Sequence, residues 1–440
     1  MKIIKRILLL LAVIIIIVVF VNYPKLNIIA GYSSKSMASS VYLAERSLQL
    51  TDSTDNNGDM INLADDKINI PEQSASASIF GLLTRKAIYR EGIGATLITD
   101  DFDINSTYLR PKRSQSNDSV AFPFGNGEPK DTVLQNVDYV RLNKHLDKHF
   151  QPQYKTRSVL VLYKGNIIAE RYADEFNKNS RFLGWSMTKS VMATVFGIMQ
   201  FQGKINVQDV APVGEWQNDD RKKITIHNLL QMNSGLEWDE NYEGISDVTK
   251  MLFLEKDMTK SQMKKQLVGN PNETWNYSSG TSNLLSGILR LKLGSHQAYL
   301  DYWYSELIDK IGMNSMVLET DMAGNYVSSS YSWATTRDWA KFGFLYSRNG
   351  NWNGEQIFAK DWRDYVTSPT PTSNGAYGAQ FWLNDGTIPD VPMSMFYANG
   401  HDGQRIYILP EQDLVIARFG LSGNFSNNNL IKGVLESIKN

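Results

Sequence analysis

The chain has 440 residues, of which 42% are hydrophobic and 21% are charged, a composition typical of a globular protein with one large domain or several smaller ones. The net charge is −1 and both signs are mixed along the sequence, so no basic surface for a nucleic-acid partner is predicted. Cysteine is absent, which excludes disulfides, thiolate metal sites and a cysteine nucleophile.

The N-terminus predicts a membrane anchor. Three basic residues among the first six precede an uninterrupted apolar run from Ile7 to Val21, the arrangement of an export signal. The run is shorter than the roughly 20 residues of a full span, but no good cleavage site follows closely. We therefore predict an uncleaved anchor over residues 1–24, with the catalytic part outside the cytoplasm, in the periplasm. A cleaved signal peptide and a buried cytosolic helix are the alternatives.

Residues 25–135 predict an accessory region with little core of its own. Residues 22 to about 50 are typical of a tether that becomes a short helix. The next stretch, 51–78, is rich in Asp, Asn and Ser, which favours a loop. Residues 79–135 mix short apolar runs with turn residues. No role for this region is legible in the sequence.

From residue 136 to 440 the sequence predicts one domain of the α+β class. Strands are predicted near both of its ends and helices between them, which is typical of that class. The predicted elements are a helix in 137–150, a hairpin turning at 164–166, a buried helix ending near 203, helices in 224–236 and 337–350, strands flanking Pro410, and a C-terminal helix.

The segment GWSMTKSVMATVFG, residues 184–197, holds a candidate nucleophile. Ser186 and Lys189 share one face at the start of an apolar helix, where free N–H groups favour an alkoxide and burial favours a neutral amine that can accept a proton. A helix-capping serine beside a lysine that extends to water explains the same residues without chemistry. A second Ser-x-x-Lys, at Ser261 and Lys264, lies among charged residues and predicts a solvated helix face.

Two downstream fragments, WNYSSGTSN and NGHDGQRIYIL, complete a set of three motifs. Their notable residues are Tyr277, Ser279, His401 and Gly403. In order and spacing the three motifs resemble the S-x-x-K, Y-x-N and K-T-G or H-x-G elements of the serine β-lactamase and penicillin-recognising superfamily. They are most similar to its 6-aminohexanoate-dimer hydrolase and carboxylesterase branch, and the resemblance covers about residues 136–440.

This resemblance implies an antiparallel sheet flanked by helices, a mostly helical lobe, and a serine hydrolase. It implies that Ser186 attacks a carbonyl to form an acyl-enzyme, and that Lys189 and Tyr277 share the base role. Tyr277 would return the proton to the leaving group. The N–H groups of Ser186 and Gln404 would form the oxyanion hole, and Gly403 would let the substrate approach the strand. We predict no cofactor and no metal.

Two departures from the superfamily motifs favour a small amide or ester as substrate. His401 replaces the usual lysine and is largely neutral at pH 7, and Ser279 is shorter than the asparagine it replaces. Tyr242, in an acidic loop, is a further candidate for lining the pocket. The alternatives are a peptidoglycan D-amino-acid peptidase or β-lactamase, and a non-catalytic binding protein of the cell envelope.

The only other candidate ligand set is a pair of histidines one helical turn apart. His145 and His149 lack the intervening residues of an H-E-x-x-H zinc motif. The sequence therefore predicts an exposed surface pair rather than a metal site.

Overall fold

The computed structural model describes residues 2–58, 60–114 and 118–439, and the chain divides into two compact units. The N-terminal unit consists of Met1–Arg90, Ala95–Asn105 and Asp239–Lys256. The C-terminal unit consists of Glu91–Gly94, Ser106–Trp238 and Asp257–Asn440. Residues 239–256, which the sequence assigns to the domain at 136–440, thus fold with the N-terminal unit.

The described residues form helices and strands in the following chain order. The α-helices are α1 Lys2–Ala38, α2 Leu48–Ser53, α3 Tyr139–His149, α4 Met187–Phe201, α5 Ile226–Leu230, α6 Asp247–Leu254, α7 Ser279–Lys292, α8 His296–Trp303, α9 Thr336–Ser347, α10 Asp361–Thr367 and α11 Asn427–Leu435. The strands are β1 Ala64–Asn69, β2 Ser74–Ile79, β3 Leu83–Arg90, β4 Gly94–Ile98, β5 Thr156–Tyr163, β6 Asn166–Tyr172, β7 Arg181–Leu183, β8 Val317–Leu318, β9 Ser332–Thr335, β10 Asn351–Trp352, β11 Glu355–Gln356, β12 Trp382–Leu383, β13 Phe396–Gly400, β14 Gln404–Leu409 and β15 Leu414–Gly420.

The N-terminal unit is a four-stranded sheet in the order β1-β2-β3-β4, with the second half of α1 packed along it. Small and apolar side chains of the helix and the sheet interlock in two clusters, one around Ile29 and Ala77 and the other around Met37 and Ala87. The predictions of a tether at 22–50 and a loop at 51–78 are therefore wrong. Asp59 lies outside the described residues.

The first part of α1 has the length and composition of a membrane span. Described side chains from Ile3 to Tyr23 are exposed, whereas Ile28, Ile29 and Ala30 are buried against the sheet. Among the described residues, one helical stretch, Ile3–Leu43, is long and apolar enough to cross a bilayer or to serve as a signal sequence.

The C-terminal unit is built on a six-stranded antiparallel sheet in the order β12-β13-β14-β15-β5-β6. Helix α9 packs on β5, β14 and β15, and α3 and α11 belong to a second core on the same strands. Every residue of β5 and of β15 is buried, as expected for strands covered on both faces.

The predicted α+β class is confirmed, and most predicted elements of the C-terminal unit are present. Helices α3, α4, α9 and α11 and strands β5, β6, β14 and β15 lie where the sequence predicts them. The predicted helix in 224–236 is shorter than expected, because α5 covers only Ile226–Leu230. Helices α4, α5, α7 and α8 share one large apolar core, whose interior includes the start of α4.

Candidate active site

A strained backbone turn at Trp185 leads into Ser186, the residue immediately before α4. Trp185 has a φ of +46°, a left-handed conformation that a bulky residue rarely adopts. The N–H of Gly184 donates to the Ser332 carbonyl at 2.7 Å, and a Cβ on Gly184 would lie 2.4 Å from the Trp339 ring. Ser186 itself is partly exposed.

The Lys189 amine lies directly behind this hydroxyl. Only 1% of Lys189 is exposed. Its Nζ lies 2.9 Å from Ser186 Oγ, 3.0 Å from Ser279 Oγ and 2.9 Å from the Ser329 carbonyl oxygen. The Ser329 N–H in turn donates to the Asn283 side chain at 3.1 Å. The two residues of the first motif are thus in contact, and a lysine that extends to water is excluded.

Tyr277 reaches the same place from the loop before α7. Lys189 Nζ lies 4.9 Å from the centroid of its ring, within the range of a cation–π contact. The rings of Tyr377 and Trp382 pack against Tyr277 at 5.7 and 5.4 Å, and Trp275 joins them at 5.6 Å from Tyr377. This aromatic cluster holds the Tyr277 ring in place beside the amine.

Ser279 faces the lysine rather than the solvent. Its side chain is completely buried at the start of α7, and its hydroxyl is the acceptor for Lys189. The preceding residue, Ser278, caps the helix by accepting from the Thr281 N–H at 2.9 Å. The substrate-binding role that the sequence assigns to Ser279 therefore becomes, in this structure, a contact that positions Lys189.

The third motif passes against the turn that precedes Ser186. A Cβ on Gly400, the last residue of β13, would lie 2.2 Å from the carbonyl oxygen of Gly184. The next residue, His401, packs its half-exposed ring edge-on against Trp185 at 5.6 Å. Its Nε2 is 3.5 Å from the carboxylate of Asp402. The first and third motifs therefore meet through backbone contact at Gly184 and Gly400.

Gln404 and Gly403 serve the hairpin between β13 and β14 instead of facing the serine. The Gln404 N–H donates to the His401 carbonyl, and its side-chain amide exchanges two hydrogen bonds with the Gly420 backbone at 2.6 and 3.1 Å. A Cβ on Gly403 would lie 2.4 Å from an Arg418 nitrogen. Two predicted roles are therefore corrected. The Gln404 N–H is already hydrogen-bonded to the His401 carbonyl and does not face an oxyanion. Arg418 fills the space beside Gly403 through which a substrate would approach.

The sequence missed Gly400, Ser329 and Trp185 as parts of the site. Gly400 had a usable signal, since a glycine stands immediately before the third motif, whereas the Ser329 carbonyl is a backbone group that no residue type reveals. Tyr242, the last predicted site residue, lies in the N-terminal unit on the loop before α6. Its hydroxyl donates to Glu240 Oε1 at 3.2 Å, and a role in the pocket stays a prediction.

The histidine pair is not the exposed surface pair that the sequence predicts. The rings of His145 and His149 lie 4.8 Å apart, and only 7% of His149 is exposed. Burial lowers the pKa of His149 to about 4. Across residues 2–58, 60–114 and 118–439, no cluster of three His, Asp or Glu side chains is arranged to hold a metal ion.

Comparison with known proteins supplies a family and a set of similar folds. Residues 144–420 match the family model described as Beta-lactamase. A protein assigned as a 6-aminohexanoate-dimer hydrolase from Bacillus anthracis is 24% identical, with a TM-score of 0.56 over 69% of this chain and 84% of that one. A family VIII carboxylesterase is 12% identical, with a TM-score of 0.56 over 71% of this chain and all of that one.

A third similar structure is a penicillin-binding protein homologue from Caulobacter crescentus. It is 12% identical, with a TM-score of 0.53 over 71% of this chain and all of that one. At these identities the three likenesses concern the fold alone.

Proposed function

Because this chain belongs to the β-lactamase family, as its three motifs predict, we propose that it is a serine hydrolase that forms an acyl-enzyme on Ser186. The single observation that carries the proposal is the contact between Ser186 Oγ and the buried Lys189 Nζ at 2.9 Å, with Tyr277 against the same amine. A partly exposed serine hydroxyl in contact with a buried amine, with a tyrosine ring beside that amine, supplies the residue types that acyl transfer requires.

The surroundings of Lys189 suit both protonation states of an amine that shuttles a proton. As an ammonium, Lys189 donates to all three of its oxygen neighbours. As a neutral amine, it has two N–H groups for the Ser329 carbonyl and the Ser279 hydroxyl, which leaves the lone pair for the Ser186 proton. The same three contacts therefore persist before and after proton transfer, and little reorganisation is required.

The reaction we propose has two halves. In the first, the Ser186 proton passes to Lys189 or Tyr277 while Oγ bonds to the substrate carbonyl carbon, and the tetrahedral oxyanion faces the N–H groups at the start of α4. The proton is then delivered to the leaving nitrogen or oxygen as its bond to carbon breaks. In the second half, water gives up a proton to the same base and attacks the acyl carbon. The bond between that carbon and Ser186 Oγ then breaks, the base returns the proton to Oγ, and the acid is released.

The proposed substrate is a small amide or ester rather than a β-lactam. Where a lysine would offer a permanent cation to a substrate carboxylate, this chain has His401, whose half-exposed ring packs on Trp185. Covalent capture of labelled penicillin at Ser186 would instead support the peptidase or β-lactamase alternative. Its absence at millimolar drug would speak against that alternative.

The decisive test compares two serines that each precede a lysine by three residues. We expect Ser186→Ala to abolish p-nitrophenyl ester turnover and fluorophosphonate labelling. Ser261→Ala, in the second Ser-x-x-Lys, is the matched control and should leave both unchanged. Mapping the labelled peptide to residues 184–197 would identify the nucleophile. Undiminished turnover in Ser186→Ala would refute the proposed function.

We further propose that α1 anchors the protein in a membrane, with both units on the outer side. The exposed apolar stretch that ends at Tyr23 supports the anchor, and the basic residues Lys5 and Arg6 before it favour retention of that end in the cytoplasm. The protein should stay in the membrane fraction after alkaline carbonate extraction and be digested when protease is added to spheroplasts. Release by carbonate would contradict the anchor.

A further inference from the structure

Four large apolar side chains are exposed at one end of the β1–β4 sheet. Phe80 and Leu82 form the turn between β2 and β3 and are 69% and 64% exposed. Met60 and Leu63 lie in the turn that leads into β1 and are also exposed. In the antiparallel register Ala64 pairs with Ile79 and Ile79 pairs with Leu83, so both turns lie at the same end. Neighbouring exposed apolar residues on turns, where polar residues are usual, mark an interaction surface.

The packing of α1 on β3 shows which end of the sheet lies towards the apolar span. Leu26 and Ile29 pack in one cluster with Ile79 and Leu83 at the start of β3. Further along, Tyr42 stacks on Tyr89 near the end of β3, with ring centroids 6.1 Å apart. Helix and strand therefore run in the same direction. The stretch from Ile29 to Tyr42 is about 20 Å of helix, and the stretch from Leu83 to Tyr89 is about 20 Å of strand, so the two estimates agree.

Turn 80–82 therefore lies level with the part of α1 that comes just before Ile29. The apolar run ends at Val21, and Leu26 lies about 7.5 Å of helix beyond it, within the polar interfacial layer that follows the hydrocarbon core. Tyr23 and Lys25, which flank this level, are residue types that favour the membrane interface. The interfacial layer that follows the apolar run thus reaches Leu26, which packs in one cluster with Ile79 and Leu83 beside the hairpin turn.

We infer that the N-terminal unit docks on the bilayer through turn 80–82, with Phe80 and Leu82 inserted into the lipid interface beside α1. The inference rests on the proposed anchoring of α1. The occupant of the surface is lipid because the turn is continuous with the exposed apolar face of the helix. With Phe80 and Leu82 inserted beside the spanning helix, the N-terminal unit would stay at a fixed distance from the bilayer centre. The helix alone would leave the unit free to tilt relative to the membrane.

The natural absence of cysteine allows a direct measurement of depth. Leu82→Cys, Ile70→Cys and Ala12→Cys would each be labelled with the fluorophore NBD, and the full chain reconstituted into vesicles of phosphatidylethanolamine and phosphatidylglycerol. Lipids with a doxyl quencher near the head group report proximity to the interface. Ile70 is the matched control, because it is 61% exposed on the β1–β2 turn at the opposite end of the sheet.

We expect a blue-shifted emission at position 82, with quenching at least about threefold stronger than at position 70, because an interfacial group lies about 5–10 Å within the head-group and acyl boundary. Quenching at position 12 but no more at 82 than at 70 would overturn the docking inference and leave the anchor standing. Lack of quenching at position 12 by lipids labelled near the bilayer centre would overturn the anchor, and the docking inference with it.

Discussion

The contact between β13 and the turn before Ser186 predicts that one added methyl group would disable the proposed hydrolase activity. Gly400 has an extended backbone, with φ −120° and ψ 159°, so alanine fits its conformation without strain. Its Cβ, however, would lie 2.2 Å from the Gly184 oxygen, where real contacts are no shorter than 3.0 Å. The two backbones must therefore separate by about 0.8 Å, and a displacement near 1 Å at a reacting group costs about 100-fold in rate.

For Gly400→Ala we expect kcat/KM for a p-nitrophenyl ester to fall about 100-fold, with a loss of about 1–3 kcal/mol in the free energy of unfolding from the forced contact. Urea unfolding followed by tryptophan fluorescence measures the second quantity, so activity can be compared between fully folded proteins. Gly423→Ala is the matched control, because a Cβ there has no heavy atom within 4 Å. If folded Gly400→Ala retained wild-type kcat/KM, the role of this contact in aiming Ser186 would be refuted.

Four further predictions concern titratable groups. Lys189→Met should lower the rate of Ser186 acylation about 10²–10⁴-fold in single-turnover measurements without loss of stability, because it removes the base. Lys341→Met should instead lower the free energy of unfolding by about 3 kcal/mol and spare kcat in the folded fraction, since it leaves the buried Asp338 carboxylate without its ion pair at 3.1 Å. Tyr277→Phe keeps the ring contacts and removes only the hydroxyl, so kcat should fall about 10²-fold with an unchanged melting temperature; an unchanged kcat would remove Tyr277 from the proton path. Burial lowers the pKa of His149 to about 4, so its neutral form favours the folded state above the unfolded pKa of 6.5. As the pH falls from 6.5 to 4, the free energy of unfolding should decrease by about 2–3 kcal/mol. The variant His149→Gln should show a smaller decrease in urea titrations at the two pH values.

The C-terminal unit could be predicted because its elements carry strong periodic or compositional patterns. The segment TRSVLVLY of β5 is a nearly continuous apolar run, typical of a strand buried on both faces, and α4 is apolar on nearly every side. The order of the three motifs was sufficient to predict that Ser186, Lys189 and Tyr277 belong together. In the structure Lys189 Nζ lies 2.9 Å from Ser186 Oγ and 4.9 Å from the centroid of the Tyr277 ring, and the catalytic roles of the three residues stay predictions.

Strands β1 and β2 of the N-terminal unit could not be predicted because they contain few residues with high β-propensity. Strand β2 reads SASASI, and its inward positions Ala75 and Ala77 are small because α1 packs closely over them. Small residues that admit a helix carry no strand pattern of their own, and alternating serine is also typical of loops. Helix α1, which packs on this sheet, begins with the sequence pattern of a signal sequence, so its role in the unit was not predicted.

The errors at the third motif arise from the register of a turn, which spacing along the chain does not reveal. His401, Asp402 and Gly403 form the bend between β13 and β14, and Asp402 and Gly403 have φ values of 57° and 80°. The bend directs the Gln404 N–H back onto His401 and packs Gly403 against Arg418. A shift of one residue would have reversed these orientations, because alternate residues of a strand face opposite sides.

The buried lysines Lys189 and Lys341 have different surroundings, and this difference bears on the role of Lys189 at the start of α4. Lys189 and Lys341 are both only 1% exposed, but Lys341 has the Asp338 carboxylate beside it, while Lys189 Nζ donates to two hydroxyls and a carbonyl. A carboxylate partner stabilises the charged form of an amine, whereas neutral dipoles stabilise it less and let burial favour the uncharged form. Burial lowers the pKa of Lys341, but the Asp338 carboxylate opposes that shift, so Lys341 has the surroundings of a structural ion pair. For Lys189 the surroundings fit the proposed role of proton acceptor. A leucine at 189 could not take the Ser186 proton, so under the proposed function the lysine is selected for chemistry rather than for stability.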